Sequence, residues 1–438
     1  MVNSKNLLNI NLKKFKYFKE DKLSRSLISQ YLGYLFKFFF IIVLGGWTAR
    51  YLGPLNLGKL SIASSLVSLT IPFGALGMRG SLSGILTNSN NKKNLIGSAL
   101  IIEIFGRGIL LILTIIFALL YKNNVVIWLI VFYSLNSFID CIEIFEVDIL
   151  NNKKGSFLGK VGIMESIWYF LLTILLLKLK APLLAFGSIA FLRNLFKATL
   201  IIFSQHTNNI FFILKSASFN SSLKLLKRGL PFILSTLSIA VALKIDQVMI
   251  GWICGMEELG QYSIAVKVNS SLYFLPTILS QTFIPLVAEN VKTKSSESIL
   301  KMYKYAWLMG LIMTLLGVFI FSNLIPYIFG NEFTKAKTAL MFLSPCSFFV
   351  AIGCAQGVWY NVNNKENLLA KRTLLSTIIN IAINFVLLPF MGSYGAGIST
   401  TLSSALSVFL INYFDDNFTK NTNIILFPWK LKTSEFFD

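Results

Sequence analysis

The chain has 438 residues, 55 % of them hydrophobic and 13 % charged, with a formal charge of +21 and a mean hydropathy of +0.68. A water-soluble domain of this length needs far more polar surface, so the composition excludes one and makes lipid the solvent for most of the chain. The positive charge does not indicate nucleic acid, because the basic residues sit in short clusters between apolar runs and not on one face.

A bilayer core takes about 20 apolar residues per helix. After a basic tail, residues 1–25, such runs are expected at 26–48, 57–77, 95–120, 125–149, 157–177 and 181–204. A polar break follows at 205–227, then runs at 229–253, 260–288, 302–322, 337–360, 368–389 and 392–413, and a tail from 414 to 438. The expectation is an all-α integral membrane protein of about twelve transmembrane helices, six on each side of the break. The first run follows a long basic tail and is long enough to remain as an anchor, so no cleavable signal is expected. The tail "NLLNINLKKFKYFKE" reads as an inside-positive flank, with a helix lying on anionic headgroups as the alternative.

Basic residues mark one side of the membrane. The tail and alternate loops carry Lys13, Lys14, Lys16, Lys19, Lys22 and Arg25, then Lys92 and Lys93, Lys153 and Lys154, and Lys224, Lys227 and Arg228. The same side holds Lys292 and Lys294, Lys371 and Arg372, and Lys430 and Lys432, whereas the opposite loops hold few basic residues. By the positive-inside rule both termini are expected on the cytoplasmic side. Cys141, Cys254, Cys346 and Cys354 lie in or beside apolar segments without a CxxC pair and read as small hydrophobes. His206 stands alone in a polar loop and supports neither a metal site nor a catalytic triad.

Two stretches read almost alike. "LGKLSIASSL" begins at Leu57 and "LGQYSIAVKV" at Leu259, 202 positions later, and each follows a Gly-Trp pair, Gly46-Trp47 and Gly251-Trp252. Both open the second helix of their half. With six helices between them they enter the membrane in the same direction, as in transporters built from two similar lobes around a central cavity. Residues 26–204 and 228–413 are then the two lobes, joined by the linker 205–227.

The chemistry sits in ionisable groups inside the spans. A mid-membrane Lys, Arg or Asp costs about 2.5–3.5 kcal/mol on insertion scales, so such groups face protein or water. Lys37, Arg107, Arg193, Lys244 and Lys267 are the cationic candidates; Glu103, Asp140 and Asp246 are the acidic ones, able to exchange an ion or a proton. Glu103 precedes Arg107 by four residues, which puts both on one helix face, and Asp140, Glu143 and Glu165 reach the depth of Arg193 and Lys197. For those residues, charge pairs that merely tolerate burial are the competing reading. Lys37, Lys244 and Lys267 have no acid three or four positions away on their own helix. Lys267 stands where the first copy of the repeat has Ser65. Gln356, Asn380 and Asn384 read as interhelical glue, and Pro72, Pro231, Pro276, Pro285 and Pro345 as kinks.

"ARYLGPLNLGKLSIASSL" and "KIDQVMIGWICGMEELGQYSIAVKV" resemble the polysaccharide-repeat-unit flippases, the Wzx-type O-antigen and capsule exporters of the multidrug/oligosaccharidyl-lipid/polysaccharide exporter superfamily. The resemblance implies two six-helix lobes around a cavity that opens alternately to each side. It implies as cargo and partner an isoprenoid-pyrophosphate-linked oligosaccharide, passed from the cytoplasmic to the outer leaflet, with other polysaccharide assembly proteins as further partners. Lysines in that cavity suit a dianionic pyrophosphate as point charges, and arginine adds a planar fork. No cofactor, metal, nucleic acid or enzymatic step is expected. Within the superfamily, an ion-coupled drug exporter is expected to carry acids in its first helices, where this chain has Lys37. A lipid II flippase usually has two further helices. A membrane polysaccharide polymerase needs large catalytic loops, and "GKL" after Gly58 lacks the rest of a phosphate-binding loop.

Overall fold

The computed structural model describes residues 22–86, 91–119, 123–152, 154–204, 210–292, 297–363 and 365–415, together with 422, 423, 425, 426, 428 and 429; in the first helix, side chains are described from residue 42. The basic tail up to residue 21, the side chain of Lys37, His206 and the C-terminal tail beyond 429 lie outside the described residues. Among the described residues nine helices are long and apolar enough to cross a membrane, or ten when a pair bent by 43° is taken as one span.

Two of those nine helices are continuous only in outline. Lys22–Ala75 breaks at Gly53 (φ 70°, ψ 172°), giving α1 (22–52) and α2 (54–75). Glu366–Leu410 breaks at Gly392 (φ 54°, ψ −134°), giving α11 (366–391) and α12 (393–410). Between them run α3 (Lys92–Ala118), α4 (Asn124–Asn151), α5 (Gly155–Lys178), α6 (Leu183–Ser204) and α7 (Phe219–Ile253). They are followed by α8 (Met256–Glu289) and α9 (Glu297–Phe329), then α10, formed by Thr334–Leu343 and Cys346–Val362. Short helices lie at Met78–Leu86 and Ile210–Lys215.

The expected loop between the first two segments shrinks to one residue. Gly53 takes a positive φ at no steric cost, and Pro54 follows as the first residue of α2, where its missing N–H would have had no partner. Gly255, 202 positions later, repeats the corner between α7 and α8 with φ 93° and ψ 174°. The seventh segment, expected from 229, starts ten residues earlier: Ser218 caps it by accepting from Ser221 N–H, so part of the polar linker is helical. Proline explains only some of the bends. α10 turns at Ser344–Pro345 and α8 pauses at Leu272–Tyr273 ahead of Pro276, whereas Pro72 and Pro285 sit inside helices.

The apolar cores give the molecule its shape. One core spans both halves of the chain, bringing Ile62, Ala63 and Val67 of α2 and Leu129 of α4 together with Val248 and Ile250 of α7, Leu259 and Tyr262 of α8, and Phe329 of α9. It lies toward the end marked by the Gly53 and Gly255 corners, called here the Gly53 end. Toward the opposite, linker end the packing divides. Met78, Leu100, Ile144, Phe145 and Ile201 form one core with Leu225 of α7. Phe283, Val287, Tyr303, Ile352 and Val408 form another, wholly in the second half. The two halves are therefore joined at the Gly53 end and packed separately at the linker end, with α7 contributing to both the shared core and that of the first half.

Candidate transport site

The repeated sequence lies at the junction of the halves. Gly58 on α2 rests on the backbone carbonyl of Met256, and Gly260 on α8 rests on that of Pro54. The four positions form two pairs, each 202 residues apart. A Cβ at either glycine would collide with the opposing backbone. Side chains close the same end. Arg50 of α1 donates from Nε to Ile328 O at 3.0 Å and from a second nitrogen to Tyr327 O, both on α9. Gln261 of α8 donates to Glu332 O at 2.6 Å and accepts from Ala336 N–H at 3.0 Å. Glu258, at the start of α8, pairs with Lys335 and accepts from Ser393 Oγ at 2.7 Å beside the Gly392 corner.

Deeper in the junction lie two of the expected lysines. Lys267 of α8 is half-buried, and its ammonium has no hydrogen-bond or ion-pair partner among the described residues. It rests over Gly45 of α1, where a Cβ would come within 2.8 Å of Nζ. Its counterpart in the first copy, Ser65, donates to Gln247 Oε1 of α7 at 2.8 Å. Ser61 donates to the same oxygen at 3.2 Å, and Lys244 Nζ approaches it at 3.5 Å. The two equivalent positions thus differ in kind. One closes a neutral hydrogen bond between the halves; the other holds an uncompensated cation there.

The remaining candidates are occupied. Asp246, two residues from Lys244, turns away from it, accepting from Gln247 N–H at 2.7 Å and from Tyr262 Oη at 2.5 Å. Tyr262 Oη lies 3.3 Å from Thr400 Oγ1, which accepts from Asn380; Asn384 and Ser399 continue this buried polar network between α11 and α12. Arg193 pairs with Glu165 at 3.1 Å and lies over the Tyr169 ring, 5.7 Å from its centroid. Arg107 pairs with Glu103 at 3.0 Å and also donates to Ser137 O at 2.6 Å, with Asp140 at 3.9 Å. Lys197 pairs with Glu146 at 2.6 Å and Glu143 at 3.4 Å, and Glu143 also meets Arg79. Gln356 ties α10 to α12 through Val408 O, as glue between helices.

Sequence reasoning missed Gln247 and the roles of Gly58 and Gly260. The two glycines had a signal, being the paired Gly of the repeat. Gln247 had none, since its partners lie 182 and 186 residues away.

A polytopic helical membrane protein, with two related halves crossing at paired glycines and a Lys267 ammonium unpartnered among the described residues at the junction, has the architecture of a transporter. Residues 21–291 match the family model for polysaccharide biosynthesis protein, and residues 231–389 match the MatE model. The first match covers more than half of the chain, which belongs to that polysaccharide biosynthesis family. Among its relatives is a protein of Escherichia coli (strain K12) whose name proposes O-antigen transport, 21 % identical over 386 residues and 85 % of this chain, with 91 % of that protein covered. Agl15 of Haloferax volcanii, named as a probable low-salt glycan biosynthesis flippase, is 23 % identical over 209 residues; the match takes in 47 % of this chain and 44 % of Agl15, so the chain spans less than half of that relative. In fold the chain is similar to the lipid II flippase MurJ in an inward closed conformation, with a TM-score of 0.71 at 14 % identity, covering 94 % of this chain and 93 % of the other.

Proposed function

We propose that the protein is a flippase. It moves an isoprenoid-pyrophosphate-linked oligosaccharide, a repeat unit of O-antigen, capsule or exopolysaccharide, from the cytoplasmic to the outer leaflet of a bacterial cytoplasmic membrane. Both termini are cytoplasmic, which makes the linker end the inner one. Joined at the Gly53 end and packed separately at the linker end, the two halves stand in the inward-facing arrangement, and 26–204 rocks against 228–413 to expose the cargo outside.

The observation that carries this reading is the Lys267 ammonium. Holding an uncompensated cation at membrane depth costs about 2.5–3.5 kcal/mol, which an anionic ligand at the junction offsets. A pyrophosphate supplies that charge, with the isoprenoid tail remaining in lipid and the sugars in the aqueous space between the halves. Lys267 and Lys244 are the proposed phosphate contacts; Lys37, whose side chain lies outside the described residues, is proposed with them from its sequence position alone. Arg107 and Arg193 contribute field, each already holding a carboxylate. Asp246 is the proposed point of ion or proton coupling in the second half. Other polysaccharide assembly proteins receive the flipped unit.

The test is complementation of flippase-null strains with defined surface glycans. Lys267→Ala and Lys244→Ala should abolish export at unchanged protein abundance. Full complementation by both variants would reject the cationic contacts, and failure of the parent chain to export any glycan would reject the function.

A further inference from the structure

The first half contains a carboxylate that its surroundings leave incomplete. Glu103 on α3 is 0 % exposed. Its Oε2 accepts from Arg107 Nε at 3.0 Å, but its Oε1, equally enclosed, has no hydrogen-bond partner among the described residues. Arg107 meets the carboxylate through Nε alone among the described bonds, while its Nη1 is directed at Ser137 O, 2.6 Å away, and toward Asp140. The other charged groups that act on Glu103 are Arg79, from Met78–Leu86, and Asp140 of α4.

The whole cluster is short of positive charge. Glu103, Asp140, Glu143 and Glu146 share Arg79, Arg107 and Lys197. Glu143 has both Arg79 and Lys197, Glu146 has Lys197, and Asp140 accepts from the Asn194 amide beside Arg107. Glu103 is the most enclosed of the four; Glu146 Oε1 also lacks a hydrogen bond but lies 2.6 Å from the Lys197 ammonium, whereas Glu103 Oε1 has no ion-pair partner either among the described residues. A surplus negative charge in such a place is expensive, and the group that removes it with the least rearrangement is a proton. A cavity of about 10 Å³ lined by Asp140, Glu143, Asn194 and Lys197 has room for about one water molecule. Arg79, at the edge of the cluster, is 45 % exposed, so the cluster reaches the surface of the molecule.

The cluster also abuts a bend in the chain. α2 ends in two successive residues of left-handed backbone, Leu76 (φ 47°) and Gly77 (φ 67°). A leucine in that region is strained, and such strain persists only where neighbours enforce it. One neighbour is the Arg107 stem, packed on Gly74; the other is α7, where Gly229 lies against Leu76 O and Gly77 against Gly229 O. The bend is therefore held between the Glu103–Arg107 pair and α7, the helix that leads into the second half.

We propose that Glu103 is a proton-binding site whose occupancy sets the position of the α2–α7 contact. The carboxylate takes up one proton to become the neutral acid and returns it on release. Uptake weakens the ion pair with Arg107, whose guanidinium then turns fully to Asp140 and shifts the stem packed on Gly74. Only the claim that this proton drives export rests on the flippase reading; the site itself does not depend on the cargo.

The experiment uses the full-length protein in phosphatidylethanolamine/phosphatidylglycerol vesicles without substrate. Infrared difference spectra across a pH titration should show the C=O stretch of a protonated carboxylic acid. The band should be lost in Glu103→Gln and retained in Glu165→Gln, which removes a carboxylate outside the cluster. No titrating band in the parent, or an undiminished one in Glu103→Gln, overturns the site. Should Glu103→Gln fail to assemble, Glu103→Asp must shift the band or its midpoint, and an unchanged titration overturns the site equally. A cysteine at Met256 reports the Gly53 end: its labelling by an impermeant maleimide should vary with pH in the parent and be flat in Glu103→Gln. An identical pH response in both overturns the coupling. Failure of glycan complementation alone would leave these readouts intact and would count against the cargo, not the proton site.

Discussion

Gly58 and Gly260 each seat the other half's helix start, Gly58 under the carbonyl of Met256 and Gly260 under that of Pro54. The contact is reciprocal because the two residues are the same residue of a repeated unit, 202 positions apart. Hydrogen-only side chains let the two backbones meet, which is how small residues serve helix crossings in membranes. Gly58→Leu or Gly260→Leu should therefore keep the Gly53 end apart. A Pro54→Cys/Met256→Cys pair should be joined by a short bifunctional thiol reagent in the parent background and poorly when either leucine is present, and glycan export should fall sharply. Unimpaired cross-linking would show that the crossing is not held by these contacts.

Gly45 provides the space for the Lys267 ammonium. Gly45→Ala should be tolerated, because the flexible end of a lysine can shift by a few tenths of an ångström. Gly45→Leu should displace the ammonium and reduce export as Lys267→Ala does, at normal abundance. Equal export by Gly45→Leu and the parent would separate Lys267 from transport.

Arg107 anchors a buried pair, and removing one partner of such a pair costs about 3–5 kcal/mol because the other charge is stranded. Arg107→Leu should lower the thermal inactivation midpoint of the purified protein markedly. Arg193→Leu should have a smaller effect, since the Arg193 side chain is 39 % exposed and its pairing with Glu165 is partly solvated. A reversed order would contradict the burial seen around α3.

Gln247 gathers donors from both halves, so Gln247→Leu removes two hydrogen bonds between α2 and α7. In membrane interiors such bonds contribute about 0.6 kcal/mol each, so stability should change by only about 1 kcal/mol. The conformational balance should move further than the stability: with Ser61 and Ser65 released, labelling of a cysteine at Met256 from outside should increase. Labelling equal to the parent's would assign Gln247 a purely packing role.

Tyr262 is the one side-chain donor to Asp246 Oδ2 among the bonds described. Tyr262→Phe leaves that buried oxygen unpaired, at a cost of about 1–3 kcal/mol. Tyr262→Phe combined with Asp246→Leu should recover part of the loss, as measured by thermal inactivation. An additive penalty in the double variant would argue against a direct dependence.

The sequence by itself determined that the chain lies in lipid, where its helices run and that its halves are related, because hydropathy and repetition are local properties that a linear reading captures. It also picked out Lys37, Arg107, Arg193, Lys244 and Lys267 as charges inside the spans, and it found the Glu103–Arg107 spacing along one helix, but it passed over Arg79 and Asp148. Tertiary structure alone decided which of those charges are compensated. Arg193 meets Glu165 from the neighbouring helix, Lys197 meets Glu143 and Glu146, and Lys267 meets no acid among the described residues. It also turned the two paired glycines of the repeat into a crossing and Gln247 into a bridge between the halves. Pairing across helices depends on their rotation and approach, set by side chains nearly two hundred residues apart, and no periodicity along the chain encodes that.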